Sequence, residues 1–545
     1  MLSRGERDSV MAGGLLALAV LAALVLGAVV PLLVATAGAS DVRSNAFDAY
    51  IWQVTRFTLV QACLSTALSV SFAIPLASAI ARRRRFFGRR WLVRLLALPL
   101  GLPQIVAALG IIEIWGRQGV MNALLLRTGV AEPVSIYGLA GILLAHVFFN
   151  LPLAARLMLF ELERVPGEYF ALAGQLGMNR RSVFRFIEWP ALARVVPGIA
   201  GLIFMLCATS FTIVLLLGGG PAATTIEVAI YQSLRFDFDP PRAIMLALFQ
   251  IALTGVVLVA LRLVGGMADE GQTTGRPLTR HDRDSGLART TDAIAIGLGS
   301  AFLVAPLVAI VISGLASDLP KLFSEAIVWQ AIGTSLAIAL AAALLGLALS
   351  LALAASRYAA APLGPRKPAA RLFRSTAGAA SSLVLLVPPI VLGAGWFVLL
   401  HDAVDVFSLA PAIVAVVNAM MALPFVIRIV EPALTSHMGR TARLSLSLGI
   451  TGWRRIRLVD WPGLRRPIAV AFAFAMALSL GDLGAIALFG GNGTVTLPYL
   501  LLERMGSYRT SDAAGLSLLL ALVCLALMTI GTAGLEHRGE KARRA

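Results

Sequence analysis

The sequence predicts an all-α polytopic membrane protein with about twelve transmembrane helices in two parallel six-helix repeats. The chain of 545 residues is 58% hydrophobic and only 14% charged, whereas a soluble protein carries about 25% charged residues. Apolar runs of about 20 residues, each long enough to cross a bilayer as a helix, recur along the whole chain. Features of the first half recur in the second at a constant spacing, as from Gly177 to Gly449.

The net charge of +17 could suggest a nucleic-acid partner, but the placement of the basic residues argues against one. Lysine and arginine form short clusters between apolar runs, such as residues 82–85, and this is the positive-inside pattern of membrane proteins. The pattern predicts a lipid bilayer environment, no nucleic acid, and both termini in the cytosol. Cys63, Cys207 and Cys524 lie within apolar runs, which favours buried thiols over a disulfide or metal framework.

The predicted helices follow the apolar runs in order. The first run follows Arg4 and Arg7 and is too long for the apolar core of a signal peptide, so we expect an uncleaved membrane helix. A polar segment rich in glycine and threonine at 266–291 predicts a flexible linker between the halves. The helices are expected near 11–36, 57–80, 95–116, 136–160, 194–217, 242–265, 292–314, 331–356, 378–400, 411–430, 467–490 and 512–534.

The repeat divides the chain into five parts. The matches between the halves include Pro152 with Pro424 and Pro103 with Pro388. Parallel repeats of this kind build a pathway at their interface. We therefore predict a first helix and outer loop at 1–55, a first transport domain at 56–262, a linker and seventh helix at 263–329, a second transport domain at 330–530, and a basic cytosolic tail at 531–545.

Two polar segments of equal length interrupt the apolar pattern at matching points. Residues 177–190 and 449–462, here called the first and second Gly-to-Pro segments, each run from a glycine to a Trp-Pro ending with arginines between. Glycine commonly ends a helix, and Asn179 or Thr451 could then N-cap a second, short one. Pro190 and Pro462 would allow a turn into the next membrane helix. The pattern predicts two short basic helices tilted to the main bundle, with amphipathic segments lying on lipid as the alternative.

The two segments resemble the cytosolic loop of the membrane subunits of binding-protein-dependent ABC importers. That loop reads Glu-Ala-Ala, three residues, Gly, nine residues, Ile, one residue, Leu, Pro. The residues that fall on this frame are Ala171, Gly177, Ile187, Trp189 and Pro190 in one copy and Arg443, Gly449, Val459, Trp461 and Pro462 in the other. Ala171 and Arg443 replace the leading glutamate of the family.

The resemblance implies that each segment is a coupling helix seated in a groove of a cytosolic ABC ATPase homodimer. It further implies a periplasmic substrate-binding protein and a place in the bacterial inner membrane. Lys321, Lys367 and Lys541 do not follow a glycine, so the chain has no P-loop. We therefore expect no cofactor on this chain and no enzymatic activity, with ATP and Mg²⁺ used by the partner. The expected coupling residues are Gly177, Asn179, Arg181, Arg185, Pro190, Gly449, Thr451, Arg454, Arg457 and Pro462.

Two subgroups of this family are fused duplications of similar size, the thiamine permeases and the iron(III) permeases. Residues 479–490 and 506–515 resemble the thiamine or thiamine pyrophosphate type, and iron(III) is the alternative. An ion-coupled secondary transporter commonly uses several intramembrane acids, and Asp482 is the one convincing deep candidate here. The sequence has no His-Glu-x-x-His or Gly-x-Ser-x-Gly motif, which argues against a membrane enzyme.

Polar residues within membrane helices are costly and often functional. Asp482 is flanked by Gly481 and Gly484 and matches Ser210 in the other half. It either faces the substrate path or is a structural acid bonded to nearby backbone, and the sequence leaves both open. No metal site is expected. The candidate path residues are Asp482, Ser210, Asn150, Asn418 and His146.

Overall fold

The computed structural model describes residues 4–38, 49–96, 98–129, 132–264, 286–363, 368–383, 387–401, 404–491 and 493–544. Across these ranges the chain is almost wholly helical and forms no β-strand. Most of the predicted linker, 266–291, lies outside the described residues. Its last residues, from Gly286, are wrongly predicted as linker because they already form the first turns of the helix Gly286–Leu315, which corresponds to the seventh predicted helix.

The α-helices are α1 (Arg4–Gly38), α2 (Ala49–Arg82), α3 (Arg89–Leu95), α4 (Gln104–Trp115), α5 (Val120–Arg127), α6 (Leu139–Arg164), α7 (Gly167–Gln175), α8 (Arg180–Val183), α9 (Trp189–Ala208), α10 (Thr212–Leu217), α11 (Ile226–Arg235), α12 (Pro240–Val264), α13 (Gly286–Leu315), α14 (Leu319–Ser324), α15 (Ala326–Ala360), α16 (Pro368–Leu383), α17 (Pro389–Leu400), α18 (Ala410–Ser447), α19 (Gly452–Arg455), α20 (Trp461–Gly481), α21 (Gly484–Phe489), α22 (Leu497–Gly506) and α23 (Thr510–Arg544). Two π-helical turns, Phe184–Glu188 and Ile456–Asp460, join α8 to α9 and α19 to α20.

Ten helical segments of the described chain are long and apolar enough to cross a membrane. The third and ninth predicted helices, 95–116 and 378–400, are interrupted at Pro103 and Pro388, the matching prolines at which a break is expected. In their place α4 and α17 have 12 residues each, about 18 Å, and both begin directly after a proline. Proline disfavours helical backbone in the residue before it and lacks an amide hydrogen, so each helix starts there anew. The total of twelve crossings stays a prediction.

The fifth and eleventh predicted helices are also broken, at matching points. The predictions 194–217 and 467–490 are wrong as single helices because α9 ends at Ala208 before α10, and α20 ends at Gly481 before α21. Backbone carbonyls freed inside a bilayer must find other donors. The Gln61 amide donates to the Cys207 carbonyl at 2.8 Å, and the Gln250 amide donates to the Ala208 carbonyl at 3.2 Å.

The leading helix of each half packs against the other half. Helix α1 lies on α15 and α17, whereas α13 lies on α2 and α4. Glycines permit the close approach: a Cβ added at Gly110 of α4 would lie 2.6 Å from the Pro306 carbonyl oxygen of α13. Gly395 of α17 is pressed equally closely against the backbone of Ala28 in α1. Each half therefore packs its first helix on the other half, and α1 and α13 are here called the exchanged helices. Helix α4 contacts α13, and α17 contacts α1.

This exchange predicts that valine at Gly110 or Gly395 destabilises the fold. The added side chain would clash with backbone, and overpacking of this kind costs about 1–3 kcal/mol. Thermal unfolding of the purified protein in detergent should show a lower midpoint for each variant. Gly13→Val is the control, because nothing lies within 4 Å of a Cβ added at Gly13; equal midpoints for all three variants would contradict the close packing.

Candidate functional site

A cavity of about 270 Å³ lies between the two halves, where four helix breaks come together. Pro103 and Pro389 contribute the starts of α4 and α17, and Ser210 and Asp482 contribute the breaks that follow α9 and α20. Side chains from both halves complete the wall, with polar groups among aromatic rings. They include Gln104, His146, Phe149, Asn150, Thr209, Phe211, Glu227, Asn418, Phe425 and Ser479.

All five predicted path residues border this one cavity: Asp482, Ser210, Asn150, Asn418 and His146. They come from α6, α18 and the two breaks, so the two halves contribute in the same way. The structure thus brings together every residue of the predicted set, and their role in transport stays a prediction. Within the described ranges no cluster of three or more His, Cys, Asp or Glu side chains could hold a metal ion.

The two cavity asparagines make equivalent contacts. Asn150 donates from its amide nitrogen to the Cys207 sulfur at 3.2 Å, and Asn418 donates to the Ser479 hydroxyl at 2.9 Å. Cys207 and Ser479 occupy matching positions of the repeat, although the asparagines are offset by about one helical turn. The side-chain nitrogens of both asparagines are therefore held by the wall. His146 is fixed similarly, with its Nδ1 atom 2.9 Å from the Ser65 hydroxyl.

Asp482 makes a hydrogen bond with nearby backbone and also lines the cavity, and its role in the substrate path stays a prediction. One carboxylate oxygen accepts a long hydrogen bond, 3.4 Å, from the Ala485 amide at the start of α21. A carboxylate at this position also interacts favourably with the positive end of the helix. The side chain nevertheless remains partly exposed and lines the cavity. Asp482 is thus a helix cap whose charge still faces the space between the halves.

Glu227 is a cavity residue that the sequence does not reveal. It lies in α11, is fully buried, and borders the cavity on the side of the first half. Helix α11 has only 10 residues and falls between two predicted membrane helices. Neither hydropathy nor helix length marks it as embedded, so this acid could be found only from the tertiary structure.

The first Gly-to-Pro segment begins as predicted. Gly177 adopts a left-handed φ of +63°, and the Met178 amide donates back to the Ala173 carbonyl at 2.9 Å, which ends α7. Asn179 then caps α8, because its side-chain oxygen accepts a hydrogen bond of 2.9 Å from the Ser182 amide. Glycine at position 177 is required by the backbone, since other residues rarely adopt a positive φ.

The second Gly-to-Pro segment differs at its cap. Gly449 has φ +66°, as its counterpart does, but the predicted cap by Thr451 is wrong because its hydroxyl accepts no cap hydrogen bond. Instead the carboxylate of Glu6, from α1, accepts a hydrogen bond of 2.7 Å from the Gly452 amide. A charged acceptor makes a stronger bond than a hydroxyl, so the exchanged helix supplies the cap.

The predicted turn between each short helix and the membrane helix that follows it is wrong, and the tilt of the short helices to the bundle stays a prediction. The π-helical turns carry α8 into α9 and α19 into α20 without a bend out of helical backbone. Pro190 and Pro462 lie in the first turn of the following helices. Each proline lacks the amide that the preceding turn would use, and local widening to a π turn is a common response in helices. The segments are therefore direct extensions of the fifth and eleventh membrane helices.

Both segments present arginine and aromatic side chains to solvent. Arg181, Arg185, Arg454 and Arg457, all predicted coupling residues, are exposed. The surface between them is apolar, and its exposed members are Phe186, Trp189, Trp453, Ile456, Leu458 and Trp461. Arginine and aromatic residues are enriched in protein–protein interfaces, so these two surfaces have the composition of docking sites.

The fold and the cavity define a multi-pass membrane transport component, and comparison with known proteins agrees. Residues 369–541 match the family described as binding-protein-dependent transport system inner membrane component. The chain is 52% identical over 531 residues, 97% of its length and 96% of the relative, to the thiamine transport system permease protein ThiP of Brucella abortus (strain 2308). It is 45% and 44% identical, over 89% of each chain, to the proteins of that name from Salmonella typhimurium and Escherichia coli K12. The chain belongs to this family of inner-membrane permease subunits, which carry substrate rather than hydrolyse ATP.

The different caps predict different responses to alanine. Asn179→Ala should weaken α8 by about 1 kcal/mol because a Ser182 amide loses its acceptor, whereas Thr451→Ala should leave α19 unchanged. Hydrogen–deuterium exchange of the purified protein checks this through the amides of residues 180–189 and 452–461. Faster exchange in the second segment of Thr451→Ala would contradict the assigned cap.

Proposed function

We propose that this chain is the permease subunit of an ATP-driven importer for thiamine or thiamine pyrophosphate. The observation that carries the proposal is the cavity between the halves, where four helix breaks and the five predicted polar side chains meet. A substrate path at the interface of parallel repeats needs such a polar point within an apolar bundle. The relatives named as thiamine permeases, at 44–52% identity, support this substrate over iron(III).

The partners follow from the same architecture. A periplasmic binding protein delivers the substrate, and a cytosolic ATPase homodimer contacts the two Gly-to-Pro segments. Two similar exposed surfaces on one chain suit a two-fold partner, because each ATPase subunit then meets one segment. ATP and Mg²⁺ belong to that partner, and this chain binds no cofactor. Because the ATPase contacts the segments from the cytosol, both segments and both termini lie on the cytosolic side of the membrane.

Transport then depends on contacts between the ATPase and the Gly-to-Pro segments that differ from one state of the ATPase to another. Because the segments continue directly into α9 and α20, a displacement of either one moves a helix that ends at the cavity. The breaks at Ser210 and Asp482 lie at those helix ends. A change of contacts at the cytosolic surface can thus favour the inward-open or the outward-open state. Any ligand that binds one of two states more tightly shifts the equilibrium in the same way.

Growth complementation tests the substrate. The chain, expressed with the ATPase and the binding protein of a thiamine ABC importer, should restore growth of a thiamine-requiring, uptake-deficient strain at limiting thiamine. The same set of proteins should not rescue a strain that lacks iron(III) uptake. Rescue of the iron strain alone would overturn thiamine as the substrate, and a set lacking only this chain is the control for background uptake.

A further inference from the structure

Several residues that line the cavity have buried side-chain atoms without a hydrogen-bond partner. Among the described residues, no group pairs with either carboxylate oxygen of Glu227, with the amide oxygen of Asn418, with the Ser210 hydroxyl or with Nε2 of His146. The donor nitrogens of Asn150 and Asn418 are already engaged by the wall. The groups left over are thus mainly acceptors, which suit a ligand that donates hydrogen bonds or carries positive charge.

Glu227 is the most costly of these groups. Its side chain is 0% exposed, and an isolated buried carboxylate costs several kcal/mol unless a cation or strong donors compensate it. Arg235, at the other end of α11, donates to the Gly490 carbonyl at 3.2 Å and makes a backbone contact there. In the part of the chain that the structure describes, no cationic side chain forms an ion pair with Glu227.

The second cavity acid comes from the opposite half. Helix α11, which carries Glu227, packs against α17 and α21 of the second half, and Asp482 caps α21. Phe149, Phe211 and Phe425 also line the cavity, and aromatic faces attract cations. Two carboxylates, unused acceptors and aromatic rings together make a wall that is complementary to a small aromatic cation.

We propose that this cavity is a binding site for a small organic cation, held by Glu227 of the first half and Asp482 of the second. The inference rests on the proposed function and extends it: the permease itself recognises the positive charge of its substrate, in addition to any selection by the binding protein. Because the acids lie on different halves, the bound cation also links the halves when they are closed around it.

The test is equilibrium binding of radiolabelled thiamine to the permease–ATPase complex in lipid nanodiscs, without binding protein. The wild-type complex should bind saturably, and both Glu227→Gln and Asp482→Asn should weaken binding about tenfold, as the loss of one charge-assisted hydrogen bond does. Thiochrome, the uncharged oxidised form of thiamine, should not compete. Glu113→Gln is the control, because Glu113 is a partly buried acid of α4 that does not line the cavity, and its loss should leave affinity unchanged.

The outcomes separate this site from the proposed function. Thiamine uptake by wild-type proteoliposomes with binding protein, but no saturable binding by the permease, would overturn the site alone. Equal affinity of Glu227→Gln and wild type would also overturn it. Absence of uptake by the wild type would overturn the proposed function instead. Assembly with the ATPase, followed by gel filtration, shows that each variant is folded.

A second, independent observation is a buried ion cluster at the first Gly-to-Pro segment, here called the Asp292 cluster. Asp292, in the exchanged helix α13, lies 3.1 Å from Arg82, 3.0 Å from Arg83 and 3.0 Å from Arg180 of α8. Arg82 also pairs with Glu188 at 3.1 Å. The side chains of Arg82, Glu188 and Asp292 are at most 4% exposed, so removal of one partner leaves a buried charge uncompensated.

A similar contact exists at the second Gly-to-Pro segment. Glu6, in the exchanged helix α1, accepts from the Gly452 amide at 2.7 Å and lies 3.9 Å from the Arg455 guanidinium. Arg455 is also 3.4 Å from Asp460. In both halves, therefore, an acid near the start of the exchanged helix binds the Gly-to-Pro segment of the other half.

We infer that Asp292 and Glu6 are positioning residues that transmit movement of each segment to the exchanged helix of the opposite half. From Asp292 the connection runs along α13 to Gly110 of α4, which begins at the cavity. From Glu6 it runs along α1 to Gly395 of α17, which also begins at the cavity. Each segment thereby reaches the cavity through its own helix and through the exchanged helix. This inference rests on the proposed coupling role of the segments.

Asp292→Asn should lower the number of substrate molecules transported per ATP about tenfold in proteoliposomes, and Asp292→Glu should restore most of that ratio. Arg180→Gln, at a more exposed member of the cluster, should give the same change in a milder form. Glu163→Gln is the control, because Glu163 forms an ion pair with Arg89 that is partly exposed and lies outside the cluster.

An unchanged transport ratio in an assembled Asp292→Asn complex would overturn the positioning role. If that variant does not assemble, Arg180→Gln decides: a normal ratio there overturns the inference equally. An equal fall in the transport ratio of Glu163→Gln would show that the ratio responds to any lost charge. That result would also refute the specific connection through Asp292. Thiamine binding to the nanodisc complex should stay normal in all of these variants.

Discussion

The structure depends on one constraint, that a backbone polar group inside a membrane bundle must have a partner. Unbroken helices meet the constraint internally, and most of this chain consists of such helices. At four points the helices end or begin within the bundle, and each of these ends needs a substitute. Gln61 and Gln250 supply donors to the last carbonyls of α9, and Asp482 supplies an acceptor to the Ala485 amide at the start of α21. The cavity exists because these interruptions coincide.

The two halves share this solution but are not identical. Thr225 and Thr496 are the N-cap residues of the matching helices α11 and α22, and the first amides of these helices donate to Thr58 at 3.1 Å and to Ser335 at 2.8 Å. The next residue is Glu227 in one half and Pro498 in the other. Each half thus keeps the scaffold contacts and places its acid at a different point, which gives the cavity two carboxylates from opposite sides.

The exchange of α1 and α13 explains how a symmetric scaffold can act as one unit. Each exchanged helix contacts the other half twice, through an acid at its start and through close glycine packing farther along. Buried ion pairs contribute little net stability, and their value here lies in the fixed position they give the Gly-to-Pro segments. A rigid contact of this kind can carry a displacement that a solvent-exposed, flexible pair would absorb.

The sequence by itself determined the class of fold and five of the polar residues that border the cavity. Hydropathy, charge placement and the repeat are local or periodic signals, so they predict membrane helices and place Asp482, Asn150 and Asn418 within them. Gly177 and Asn179 were predictable for the same reason, because a helix end and its cap involve neighbouring residues. Only the tertiary structure decided the breaks after α9 and α20, the cap of the second segment by Glu6, and the burial of Glu227. These depend on contacts between residues far apart in the chain, as with Glu6 and Gly452, and on a short helix whose burial comes from its neighbours and not from its own composition.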